Sequence, residues 1–158
     1  MKNEEYIDAV NHALLSFQMI EEALKIYVGL SYEIIRATTP LPIVFRFEPE
    51  AIINAPLERL IKMFSTVTLN DELIKDLRKV IKWRNYCAHN AFAHEFLDRM
   101  GRSPFKRHPI EDVATIKKFS TSLVERVGNE MKSVRKLHTK VIGKDDERCD
   151  IFDIGVNA

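Results

Sequence analysis

Glycine, proline and cysteine are all scarce in this sequence. Its 158 residues include 5 glycines and 6 prolines, which argues against a turn-rich all-β fold and against a disordered chain. The two cysteines, Cys87 and Cys149, are too few for a disulfide framework, so a reducing cytoplasm is the expected compartment. No apolar run approaches the ~18 residues of a membrane-spanning helix, and the N-terminus lacks the basic segment and apolar run of a signal peptide. We therefore expect neither membrane insertion nor export.

The chain also lacks a large excess of either charge. Lysine and arginine number 24 against 23 aspartates and glutamates, a net charge of +1. Gross charge therefore does not indicate a nucleic-acid binder, and any basic surface must be local. Hydrophobic residues make up 46% and charged residues 30%, the balance of a globular protein of one domain.

Apolar residues recur at spacings of three and four along four segments, the pattern of helices with one buried face. The expected helices cover about residues 3–36, 51–65 (or 56–65), 70–100 and 109–143. The third of them is bent or broken along its length, and Asn70, followed by two acidic residues, is its expected N-cap. Three prolines exclude a helix from residues 37–50, where 43–47 is consistent with a short extended piece. The sequence thus predicts an all-α fold, an up-and-down bundle of about four to five helices over residues 1–143 with a polar tail over 144–158.

One cluster on the third helix combines residue types that can take part in catalysis: Arg84, Asn85 and His89. Arginine offers a planar fork of donors that suits a phosphate, and histidine exchanges a proton near neutral pH. An amide beside them orients either group or caps a helix. Together they suffice to cleave RNA without a metal, because the histidine takes the proton of a ribose 2′-OH while the arginine balances charge on the phosphoryl oxygens.

The spacing of the two ionisable residues poses a geometric problem. Positions five apart on an ideal helix lie about 140° apart around its axis, so Arg84 and His89 do not face one point. Either the helix bends or restarts between them, or two copies of the motif meet across a symmetric dimer.

The cluster resembles the motif of the HEPN superfamily (higher eukaryotes and prokaryotes nucleotide-binding domain). That motif is an arginine, four to six intervening residues and a histidine, with a polar residue after the arginine; Arg84, Asn85 and His89 match it. The resemblance implies a homodimeric, metal-independent endoribonuclease with a composite site, acting as a toxin or in antiphage defence, with a protein antitoxin as a further partner. Ala91 stands where one toxin branch has a tyrosine, which places that branch's partner chemistry in doubt. The alternative is a non-catalytic HEPN-like module that binds a nucleotide or a protein.

Two basic clusters flank the motif and are the candidate RNA-binding residues; the alternative is a solvated helix face followed by a basic loop. The first cluster precedes the motif and the second follows it: Arg78, Lys79 and Lys82, then Arg102, Lys106 and Arg107.

Other residues near the motif have simpler expected roles. Trp83 and Tyr86 are expected to pack in the core or an interface, and Cys87 to be a buried thiol rather than a nucleophile. Neither a metal nor a cofactor is expected, because His94 and Glu95 lack metal-ligand spacing. The remaining histidines, at positions 12, 108 and 138, are expected to be solvated.

Overall fold

The structure is a computed structural model that describes residues 2–102 and 110–143. Within these ranges it contains six α-helices and no strand, which confirms the all-α helical bundle. The helices are α1 (Lys2–Thr38), α2 (Pro49–Ile53), α3 (Leu57–Ser65), α4 (Asp71–His89), α5 (Ala91–Arg99) and α6 (Ile110–Ile142). The predicted tail at 144–158 lies outside the described residues.

Three long helices form the body of the bundle. Asp8 of α1 pairs with Lys117 of α6, and Glu33 with His138, so α1 and α6 run parallel. The end of α4 lies near the start of α1, where the hydroxyls of Tyr6 and Tyr86 share a hydrogen bond of 2.8 Å. Helix α4 is therefore antiparallel to both of its long neighbours, and its C-terminal turns lie at the N-terminal end of α1.

The core comes from the apolar stripes that the helical spacing predicts. Fully buried side chains on α1, α3, α4 and α6 form one continuous cluster, and burial of this apolar area is the main stabilising contribution. Representative members are Phe17, Ile20, Leu24, Leu60, Phe64, Leu73, Leu77, Leu123 and Met131.

Asn70 sets the position of α4 as a predicted N-cap. Its Oδ1 accepts a hydrogen bond of 3.1 Å from the backbone N–H of Leu73, and its Nδ2 donates one of 2.6 Å to Glu130 of α6. The same side chain thus starts α4 and ties it to α6. Gly101 and Gly143, which follow α5 and α6, adopt the positive φ angles of 63° and 75° that favour glycine at helix ends.

The segment before α4 agrees with one of its two predicted helix starts. A helix was expected to begin at residue 51 or 56 and to end at 65. Two short helices occur here, and the second of them, α3, confirms the later start, because Pro56 is its N-cap. Pro49 begins the first of them, because a proline is tolerated in the first turn, where its missing N–H has no helical partner. No strand forms at 43–47; instead, the rings of Phe45 and Phe47 pack edge-on against Tyr32.

The expectation that His138 is solvated is wrong. Its side chain is buried between α6 and α1, and its Nε2 is hydrogen-bonded to Glu33 at 2.6 Å. Position 138 continues the buried stripe of α6 through Met131 and Val134, so helical periodicity carries it inward. His12 is exposed as expected, whereas position 108 lies outside the described residues.

Candidate functional site

The motif occupies the last turns of α4. Helix α4 runs without interruption from Asp71 to His89, and the break falls at Asn90, which ends α4 and precedes α5. The predicted break in the 70–100 helix is therefore present, but it does not separate Arg84 from His89. Of the two alternatives for bringing these residues together, a restart between them is wrong.

Arg84 lies on the inward side of α4. It continues the line of buried residues Leu77 and Val80 by one further turn, and its side chain is 33% exposed. Its Nε donates to Oε1 of Glu21 on α1 at 3.3 Å. The guanidinium is thus attached to the neighbouring helix, and its charge is partly balanced there.

Asn85 and His89 lie on the outward side of α4. They are four residues apart, so they are neighbours on one exposed face. Asn85 is interior to the helix and does not cap it, which excludes the capping role considered above. Its Oδ1 accepts a hydrogen bond from Nη1 of Arg84 at 3.4 Å, a contact that links the inward arginine to the outward pair.

A basic stripe leads along this exposed face to the histidine. Its members recur at alternating spacings of three and four, and all are exposed: Lys75, Arg78, Lys82, Asn85 and His89. On a regular helix they fall within about 80° around the axis and extend about 21 Å along it. Of the predicted RNA-binding residues on α4, Arg78 and Lys82 therefore share a face with His89. Lys79 lies at the edge of that face and pairs with Asp76 at 3.1 Å.

The second predicted basic cluster is only partly described. Arg102 is exposed just beyond the end of α5, and Lys106 and Arg107 lie outside the described residues. Lys75 of the basic stripe was missed by the sequence analysis because it stands three residues before the cluster and is flanked by Asp76. The sequence pattern that could have identified Lys75 is its spacing of three residues from Arg78, which places both side chains on one face of a helix.

The residues beside the motif have structural roles, as expected. Trp83 packs edge-on against Phe119 of α6, with ring centroids 5.5 Å apart, and Tyr86 bonds to Tyr6. Cys87 is buried, and its burial raises the pKa of the thiol to about 11, which disfavours the thiolate that a nucleophile needs.

An apolar face on α5 adjoins the motif. Phe92, Phe96 and Met100 recur every four residues and are 42%, 63% and 49% exposed. Phe92 and Phe96 lie on one side of α5, and Met100, the C-cap of that helix, continues the row. A row of large, exposed apolar side chains is typical of a surface that another protein covers.

The described residues contain neither a cluster of metal-ligating side chains nor a membrane-spanning helix. No group of three or more metal-ligating side chains occurs within residues 2–102 and 110–143. None of the helices in that part of the chain is both long and apolar enough to cross a membrane.

Comparisons with known proteins give no match. No protein-family model, curated protein or solved structure matches this chain. The HEPN resemblance accordingly rests on Arg84, Asn85 and His89 and on their place in an all-α bundle.

Proposed function

We propose that this protein is a metal-independent endoribonuclease of the HEPN type that acts as a homodimer. The observation that carries the proposal is the exposed face of α4, on which the basic stripe ends at Asn85 and His89. A row of cations that leads to a histidine suits a phosphodiester backbone and a proton transfer at its end. A cytoplasmic toxin or antiphage protein, with an antitoxin as a further partner, is the biological role that the resemblance suggests.

The chemistry that we propose is transesterification at the ribose 2′-OH. His89 takes the 2′-OH proton, the 2′-oxygen forms a bond to the adjacent phosphorus, and the bond from phosphorus to the 5′-oxygen breaks. A second histidine, His89 of the partner subunit, returns a proton to that leaving oxygen. Arg84 balances the charge that develops on the phosphoryl oxygens. The products are a 2′,3′-cyclic phosphate and a 5′-OH.

Dimerisation is the proposed way to present an arginine and a histidine to the same phosphate, which one chain does not do. Because Arg84 and His89 lie about 140° apart on one continuous helix, a single α4 does not present both to one phosphate. A symmetric pair offers two arginines and two histidines. The exposed apolar face of α5, formed by Phe92, Phe96 and Met100, supports such an interface directly beside the motif.

The contact between Arg84 and Glu21 favours a second candidate function, a non-catalytic module that binds a nucleotide or a protein. In that case Arg84 is a structural tether between α4 and α1, and the exposed face only binds its ligand. The two functions differ in whether removal of His89 abolishes a reaction.

Cleavage of mixed cellular RNA in EDTA, followed by analysis of the fragment ends, tests the proposal. We expect the wild-type protein to leave 2′,3′-cyclic phosphates, and His89→Ala to be inactive but folded and dimeric. His12→Ala, at an exposed histidine of α1, is the matched control and should cleave normally. Phe96→Glu should sediment as a monomer and lose activity. Cleavage by His89→Ala at the wild-type rate would refute the assignment of the site, and wild-type binding without cleavage would favour the second candidate.

A further inference from the structure

Two adjoining surface clefts lie between α3 and α4, away from the motif. Their volumes are about 640 and 540 Å³. Arg78 of the basic stripe lines both of them, and the two adjoining clefts together are called the groove below. The groove shares Lys75 and Arg78 with the basic stripe, but it contains none of the motif residues Arg84, Asn85 and His89.

The rim of the groove is predominantly basic. Five cationic side chains line the two clefts, against the carboxylates of Glu58 and Asp71; the cations are Arg59, Lys62, Lys75, Arg78 and Lys79. Within the described part of the chain, Lys79 alone among these five forms an ion pair, with Asp76. The groove therefore carries an excess of positive charge that its own acidic residues do not balance.

The floor of the groove is apolar. Ile61 of α3 and Ile74 and Ile81 of α4 line the clefts beneath the charged side chains. A groove with cations along its rim and an uncharged floor suits a single nucleic-acid strand, because the positively charged rim can follow the phosphates of the backbone.

The groove is continuous with the candidate active site. Lys75 and Arg78 belong both to the groove and to the basic stripe, which reaches His89 about 21 Å from Lys75. That length corresponds to about six nucleotides of a stacked strand, at about 3.4 Å each. A strand held in the groove is thus directed along α4 towards the histidine.

We propose that α3 and α4 form a docking groove for the phosphodiester backbone of single-stranded RNA. The strand lies over Arg59 and Lys62 of α3, crosses at Arg78 and follows the stripe to the motif. The identity of the ligand rests on the proposed function, whereas the location of the groove rests on the clefts and their charges. The groove adds Arg59, Lys62 and Lys75 to the RNA-contacting residues.

Binding measurements that do not depend on cleavage test this inference. A labelled single-stranded oligoribonucleotide of about 16 residues is titrated by fluorescence anisotropy at several salt concentrations in EDTA. The full chain carries His89→Ala throughout, so that the RNA stays intact. The groove variants are Arg78→Gln and the pair Arg59→Gln with Lys62→Gln. The control pair is Lys118→Gln with Lys136→Gln, two exposed lysines of α6.

We expect each removed groove charge to weaken binding about twofold to fivefold, the strength of an exposed ion pair. The α3 pair should also reduce the slope of log affinity against log salt by about 1.4, because each phosphate contact on a single strand contributes about 0.7. The control pair should change the affinity and the salt slope by less than the groove variants do. Far-ultraviolet circular dichroism checks that every variant is folded.

The outcomes separate this inference from the proposed function. If the groove variants bind like the control pair while the wild-type protein cleaves RNA, the groove is refuted and the function stands. If binding depends on the groove but the wild-type protein does not cleave, the function fails and the groove stands. The same titrations with an RNA duplex test the preference for a single strand. If the groove variants weaken binding of the duplex and of the single strand equally, the single-strand assignment is overturned. Absence of any RNA binding would overturn both proposals.

Discussion

The ion pair between Arg84 and Glu21 gives the sharpest test of what the motif arginine does. At an Nε to Oε1 distance of 3.3 Å, two unit charges attract by about 5 kcal/mol at an effective dielectric constant of about 20. Desolvation and side-chain ordering offset most of this attraction in a pair exposed to this extent. We therefore expect a net coupling free energy of about 1 kcal/mol between the two side chains.

A double-mutant cycle measures that coupling. Arg84→Gln, Glu21→Gln and the double variant are unfolded with urea, and the interaction term is taken from the four free energies of unfolding. Each single variant should lower the melting temperature by about 2–4 °C per kcal/mol lost in a chain of this size. A coupling indistinguishable from zero would show that the pair does not hold α4 to α1 as described.

The same variants separate the structural and chemical roles of Arg84. If Arg84 balances charge on the phosphate, Arg84→Gln should abolish cleavage, whereas Glu21→Gln should retain it although both variants lose the ion pair. Equal activity of the two variants at a temperature where both are folded would refute a chemical role for Arg84.

Three further predictions concern the bundle. Asn70→Ala should destabilise the protein by about 1–3 kcal/mol, since it removes a helix cap and a bond to Glu130; Asn70→Ser should recover the cap contribution in urea unfolding. Cys87 should resist a thiol reagent at pH 8 until the chain unfolds, because burial raises its pKa to about 11; a thiol assay on a variant lacking the other cysteine checks this, and rapid labelling of the native protein would contradict it. The hydrogen bond from Arg126 lowers the pKa of Asp76 below the ordinary aspartate value of 3.8. The carboxylate therefore stabilises the fold at neutral pH, and this contribution is lost as the pH falls from 3.8 through the lowered pKa of the folded protein. The stability difference between wild type and Asp76→Asn, measured by urea unfolding, should shrink over that acidic range, and a constant difference would contradict it.

Much of the fold was predictable because periodicity and capping are local properties. The apolar stripes gave the three long helices, and Asn70 with the acids that follow it marked the start of α4. The later of the two predicted starts, at Pro56, was right, but the separate helix α2 was missed because its first residues lie in the proline-containing segment from which a helix was excluded. Periodicity identifies a buried face but does not show whether one helix or two provide it.

The candidate site was predictable in its residues and less so in its geometry. A break near the motif was expected from the mixed pattern of residues 70–100, but its exact place at Asn90 was not encoded in the spacing of Arg84 and His89. The partner of Arg84 was likewise hidden, because Glu21 is 63 residues away in the chain. The groove depends on how α3 packs beside α4, which is tertiary information that no local pattern contains.

The periodicity that builds the core also determines how α4 divides its motif. A helix that buries Leu77 and Val80 must turn Arg84 towards the same side, and a residue five positions later must then turn away from it. His89 consequently faces the solvent together with Arg78 and Lys82, while Arg84 faces α1. The two groups that the proposed reaction needs are separated by the same geometry that stabilises the fold, and the homodimer proposed above, joined through the apolar face of α5, would bring such groups together without unwinding α4.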